Sequence, residues 1–129
     1  MAVHEDVCAR GFDAKAGTFV AAYDHDHVDA ALLLLPIHGF LPPDDERITR
    51  TIARIRDELA HGAFVHRYHV DDGVGGAEGA FVLCGFWLAE ALALAGRLDE
   101  AHEAFVQNAE AANHLGLLAE EVDVSSGEP

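Results

Sequence analysis

The chain has 129 residues, with 23 acidic against 8 basic side chains and a formal charge of −15. Such a balance repels phosphate backbones and anionic lipid, so neither nucleic acid nor a membrane surface is an expected partner. Apolar residues make up 50% of the sequence; this composition excludes a disordered tail and, at this length, allows one domain with a modest core.

The pattern along the chain is nearly all helix. A first helix is expected over about Val3–Arg10, ended by Gly11 in a left-handed cap. Phe12–Tyr23 reads as a small extended turn, its tip at Asp13–Gly17 and its β-formers at Thr18, Phe19 and Val20. A short helix over about Val28–Ile37 is apolar all round through Ala30-Ala31-Leu32-Leu33-Leu34-Leu35, which calls for burial on every side. Pro42-Pro43-Asp44-Asp45 then stops the chain and starts a new helix, about Asp45–His61. Its apolar stripe is Ile48, Ile52, Ile55 and Leu59, and its other faces are charged.

The alternation repeats. Ala77–Ala95 is again apolar nearly all round, with Gly96 as its C-cap. Leu98–Leu115 is again amphipathic, with Leu98, Ala101, Phe105, Ala109 and Ala112 on one stripe. Buried and half-exposed helices in turn suit an inner and an outer ring of helical hairpins. Links from buried to amphipathic helices are short (Gly39–Pro43, Gly96-Arg97). Links leading into buried helices are long: Tyr23–His27, Gly62–Gly76, and Gly116 onward past Asp123. The long segments therefore fall at one end of the layer, at the N-termini of inner helices, where function tends to sit. The fold expected is all-α, about two helical hairpins plus a leading helix. A closed ring would need far more chain, so apolar helix edges are expected to call for cover by a missing part or by another copy.

The segment His66–Phe81 combines Arg67, Tyr68, Asp71, Asp72 and Glu78 with four glycines. Glycines admit close approach of a ligand, and carboxylates with an arginine suit sugar hydroxyls through charge-assisted bonds. The plain alternative is a connector whose aspartates cap the next helix and pair with Arg67. A second group, Gly116-Leu117-Leu118-Ala119-Glu120-Glu121-Val122-Asp123, offers Glu120 for acid–base work on a glycosidic bond, against the alternative of a solvated acidic cluster. His25-x-His27 and His66 with His69 lack a fixed third ligand, and no metal is expected. Trp87 and Phe86 fall mid-helix and read as core. The two cysteines, Cys8 and Cys84, lie in apolar helical patterns and imply no disulfide framework, and burial would disfavour Cys84 as a nucleophile. The N-terminus has no basic segment before an apolar run, and the stretch Ala80–Ala95 is shorter than a membrane span, so a soluble, cytoplasmic chain is expected.

Taken in order, Asp29–Pro36, Gly39–Asp45, Asp71-Asp72-Gly73, Glu78-Gly79-Ala80-Phe81, Phe86-Trp87-Leu88, Gly96–Ala101 and Asn113-x-x-Gly116–Asp123 resemble bacterial members of glycoside hydrolase family 15, the glucoamylase and trehalase-like enzymes. The resemblance covers nearly the whole chain. It implies an (α/α)6 toroid and inverting hydrolysis of terminal α-glucosidic bonds, with an α-glucoside such as trehalose or a maltooligosaccharide as substrate and no cofactor. Glu120 falls where the family has its general base, with Glu121 as second choice. Arg67 and Asp71, in Arg-Tyr-x-x-Asp, fall where the family holds the non-reducing sugar, with Tyr68 and Glu78 as neighbours in that pocket. The family's general acid lies in an upstream Trp-Glu motif that has no match here. The expectation is thus a C-terminal fragment of the catalytic domain over residues 1–129, carrying the base and part of the pocket and inactive alone. A competing reading is a tetratricopeptide-like helical-repeat interaction module, from Phe86–Leu92 followed by Gly96–Ala101.

Overall fold

A computed structural model describes residues 2–68 and 79–126. It is mostly helical: a leading helix followed by two helical hairpins, the arrangement of a partial α/α toroid. The leading helix α1 (Ala2–Arg10) packs on a small hairpin of β1 (Phe12–Asp13) and β2 (Thr18–Phe19), in which Phe12 pairs with Phe19. Gly11 departs from expectation. It is not left-handed; its N–H donates to Val7 O at 2.8 Å, and a Cβ there would crowd that same carbonyl. Close approach, not handedness, requires the glycine.

The first hairpin joins a short inner element to a long outer helix. Asp29 accepts from Ala31 N–H and opens a 3-10 segment, Ala30–Leu33, which continues into α2 (Leu34–Ile37). The outer helix α3 (Glu46–Leu59) is capped by Asp45, whose carboxylate accepts from Arg47 N–H. Its stripe Ile48, Ile52, Ile55 and Leu59 is buried, as its period requires, and Thr51 on the same side accepts from Phe19 N–H and so ties β2 to the helix.

The second hairpin is α4 (Val82–Leu94) and α5 (Leu98–Glu110), packed along their length. Gly96, with φ of 81°, turns the chain between them while Arg97 N–H donates to Leu92 O, closing the helix end that only a residue without Cβ enters cheaply. Asn108 of α5 is fully buried and donates to Ala63 O and Ala104 O, while its Oδ1 rests on Gly85 of α4. Gly85 is thus the point where the two helices come closest.

Three expectations need correction. The inner helix begins at Val82, not near Ala77, because Ala80–Phe81 form a strand; residues 77 and 78 lie outside the described residues. The outer helix ends at Glu110, not Leu115, because Asn113 Oδ1 captures the N–H groups of Leu115 and Leu117 and Gly116 turns left-handed with φ of 77°. Finally, the apolar helices are not enclosed. Leu83 and Leu94 of α4 are exposed, Leu32, Leu34 and Leu35 of the first inner element are only half-buried, and Leu98 and Phe105 of α5 are exposed while Ala101, Ala104 and Asn108 face the core.

A methyl group at position 85 would overlap the Asn108 amide. Gly85→Ala is expected to lower the unfolding free energy by about 1–3 kcal/mol, as overpacking against a buried side chain does. Urea unfolding followed by circular dichroism checks this, and an unchanged midpoint would contradict the packing described.

Candidate active site

A four-stranded sheet builds the candidate site, in the order β3 (Ala60–His61), β4 (Phe64–Val65), β5 (Ala80–Phe81), β6 (Glu121–Val122), all antiparallel. Each strand has two residues. β3 and β4 are joined by Gly62-Ala63; Gly62 has φ of 62° while Ala63 does not share the positive φ, the combination a II′ hairpin needs. The sheet sits at the N-terminus of α4, and the N–H of Val82, the first residue of that helix, donates to Glu120 O at 3.0 Å. One of the donors that a helix start leaves open is therefore filled from the acidic segment.

Register decides which way each residue points. Val65, Phe81 and Glu121 stand opposite one another, and paired residues share a face of a pleated sheet. Glu121 is half-buried, and its carboxylate accepts from Gly79 N–H at 3.2 Å. Gly79 in turn lies so close to Val122 O that a Cβ would stand 2.7 Å from it. Glu121 and Gly79 together latch β6 to β5. Glu120, just ahead of the strand, has an exposed side chain, and its carbonyl serves α4. The neighbouring Leu117 and Leu118 are also exposed.

Arg67 follows β4 by two residues. Its Nε donates to Asp29 Oδ1 at 2.6 Å, and its carbonyl accepts from Ala30 N–H at 2.9 Å. The Arg67 side chain is 42% exposed and Asp29 18% exposed, so the guanidinium stands over a more deeply set carboxylate. The bond to Asp29 raises the guanidinium's already high pKa, and Arg67 stays charged at every ordinary pH. Both charges act on Cys84, in the first turn of α4 and itself buried, whose thiol is pushed up to about 11, chiefly by burial and against the opposing effect of Arg67.

The three long segments thus converge. Tyr23–Asp29 meets the segment after β4 through the Asp29–Arg67 pair, and β5 meets the acidic segment through β6. Arg67 and Tyr68 beside it are half-buried, and Glu120 is exposed. Asp71 and Glu78 lie outside the described residues. Among the described residues no group of three His, Cys, Asp or Glu side chains is arranged to hold a metal, and His25 and His27 meet edge to face. Trp87 packs against the main core, and Phe86 against the second cluster and Phe105. No described helix is long and apolar enough to cross a membrane. Asp29 and Gly79 carry roles that sequence reasoning left unassigned; an aspartate directly before an apolar run was the available signal for the first.

Hairpins of inner and outer helices with a carboxylate- and arginine-bearing end define a piece of a glycoside hydrolase scaffold. The chain belongs to glycosyl hydrolases family 15, whose pattern matches residues 1–129. It is 46% identical over 127 residues to a trehalase of Thermoplasma acidophilum, covering 98% of this chain and 22% of the relative. It is 39% identical over 128 residues to a trehalase of Mycobacterium tuberculosis, covering 97% of this chain and 19% of the relative. Among solved structures, a wild-type glycosidase superposes with a TM-score of 0.83 at 30% identity, over 94% of this chain and 32% of that one. A Glu-to-Ala variant of a glycosidase in complex with glucose superposes with a TM-score of 0.83 at 29% identity. The chain therefore spans about a fifth of the trehalases and about a third of the solved glycosidases it matches. The whole-chain family match removes the helical-repeat reading.

The Cys84 thiol gives a pH signature of this site. The folded state holds its proton more tightly than the unfolded chain, where the ordinary value is near 9, so the stabilisation is complete below pH about 9 and is lost as pH rises through about 11. The loss should be on the order of 2–3 kcal/mol. Unfolding curves between pH 8 and 11 (about one curve per half unit) should converge for the unaltered chain and Cys84→Ala as the pH rises; parallel curves would contradict a buried, protonated thiol.

Proposed function

We propose that residues 1–129 are the C-terminal part of the catalytic domain of an inverting α-glucoside hydrolase, with trehalose or a maltooligosaccharide as substrate and Glu120 as general base. The observation that carries this reading is the division of labour between adjacent glutamates. Glu121 is held by Gly79 N–H in the strand latch, whereas the Glu120 side chain is exposed and its carbonyl caps the start of α4. A base must be able to hold and deprotonate a water, and the more exposed Glu120, free of the strand latch, suits that role better than Glu121. The likeness to trehalases across nearly the whole chain supports the substrate class.

In this reading Arg67 and Asp71 bind the non-reducing glucose, Arg67 through charge-assisted bonds to hydroxyls, with Tyr68 and Glu78 beside them. Glu120 takes a proton from water as that water attacks the anomeric carbon from the face opposite the leaving group. Inversion requires an acid and a base roughly 6.5–9.5 Å apart. The acid, which must protonate the departing sugar oxygen, has no counterpart in this sequence. The chain alone therefore binds a sugar weakly and does not turn it over.

The test is a glucose-release assay with trehalose, maltose and a longer oligomer, on the chain alone and on the Thermoplasma acidophilum trehalase with its matching segment replaced by this chain. The chain alone should be inactive and the chimaera active. Glu120→Gln in the chimaera should lower kcat by about 10²–10⁴-fold, the usual worth of a general base. Turnover by the chain alone, or full activity in the Glu120→Gln chimaera, would overturn the assignment.

A further inference from the structure

We infer that Asp29 is a positioning residue for the sugar site: it fixes the Arg67 guanidinium in its binding orientation before any sugar arrives. The inference rests on the pocket reading above and extends it to a residue in a different segment.

Two independent attachments hold Arg67 at both ends. Its backbone carbonyl accepts from Ala30 N–H at 2.9 Å, and its Nε donates to Asp29 Oδ1 at 2.6 Å. The same Oδ1 accepts from Ala31 N–H at 2.7 Å, so the carboxylate is itself locked to the start of the first inner element. A guanidinium is planar, and a short bond at Nε fixes the plane in which its terminal groups lie. Asp29 reaches Arg67 from beneath, being the less exposed of the two, and leaves the guanidinium partly open above. Asp29 supplies the counter-charge to the guanidinium. An arginine so held loses little rotamer freedom on meeting a sugar, and preorganisation of this kind appears as affinity. Asp29 acts through Arg67.

Asp29→Asn isolates the charge. The amide oxygen still accepts from Ala31 N–H, preserving the helix start, and keeps only a weaker neutral bond to Arg67 Nε–H in place of the charge-assisted one. Asp29→Glu restores charge on a longer arm and should rescue in part. The experiment uses the complete 129-residue chain, with glucose as the probe. Nuclear magnetic resonance reads the Arg67 Nε–H exchange rate, the Ala31 amide protection and the glucose Kd. For Asp29→Asn we expect Arg67 Nε–H to exchange at least about tenfold faster, Ala31 to stay protected, and the Kd to rise about tenfold, with Asp29→Glu intermediate; a tenfold change corresponds to about 1.4 kcal/mol. Arg67→Ala separates the two possible failures. If it leaves glucose binding unchanged, or if the unaltered chain binds no glucose, the pocket reading falls and the inference with it. If Arg67→Ala abolishes binding while Asp29→Asn leaves both Kd and Nε–H exchange unchanged, the pocket stands and the role of Asp29 is wrong.

Discussion

The ladder that runs from Val65 through Phe81 to Glu121 is the constraint on which the candidate site depends. It is a small structure, with two residues in each strand, and it pairs the acidic segment after α5 with the strand that leads into α4 and, through that strand, with β4, which precedes Arg67. Antiparallel neighbours stand about 5 Å apart, so β4 and β6 lie roughly 10 Å from one another with β5 between them. Short strands of this kind hold little stability alone. Their backing supplies it: Phe64, Ala80, Val82, Ala111 and Val122 form a buried cluster beneath the sheet, and the Glu121–Gly79 bond closes its edge.

The same ladder explains how two adjacent glutamates come to differ. Pairing with Phe81 sends Glu121 to that residue's face of the sheet, whereas Glu120 lies just before the strand, with an exposed side chain and a carbonyl that accepts from Val82 N–H. A slip of one residue would turn Glu121 to the other face and break the bond between Val82 N–H and Glu120 O. Val122, almost fully buried, resists that slip, because its displacement would bring Glu121 or Asp123 into the apolar cluster. The register of β6 is therefore set by a valine, and the chemistry of its neighbours follows.

The helices were legible in the sequence because they are long enough for a period to show. Ile48, Ile52, Ile55 and Leu59 mark α3 without ambiguity, Asp45 marks its start, and Gly96 marks the turn between α4 and α5. The even apolarity of Ala80–Ala95 identified an inner helix but hid its first residue, since Ala80-Phe81 suits strand and helix alike. The strands themselves were not legible. Two residues carry no period, and the pairing of Phe81 with Glu121 bridges 40 positions of chain. Arg67 and Glu120 could be singled out as candidates from their motifs, but the partner of Arg67 could not, because Asp29 is 38 residues away and reads as a helix cap. Of the stripe read for α5, Ala101 is buried as expected, whereas Leu98 and Phe105 are exposed and Ala104 and Asn108 complete the side that faces the core.

The central claim is that the acidic segment is paired to the strand that leads into α4. Inter-strand nuclear Overhauser effects on the isotope-labelled chain test it most directly. The account predicts cross-peaks linking Phe81 to both Val65 and Glu121, and Ala80 to Val122, together with slow exchange of the Val82 amide. Cross-peaks joining Phe81 to Val65 but none joining residues 80–82 to residues 120–122, with a rapidly exchanging Val82 amide, would contradict it.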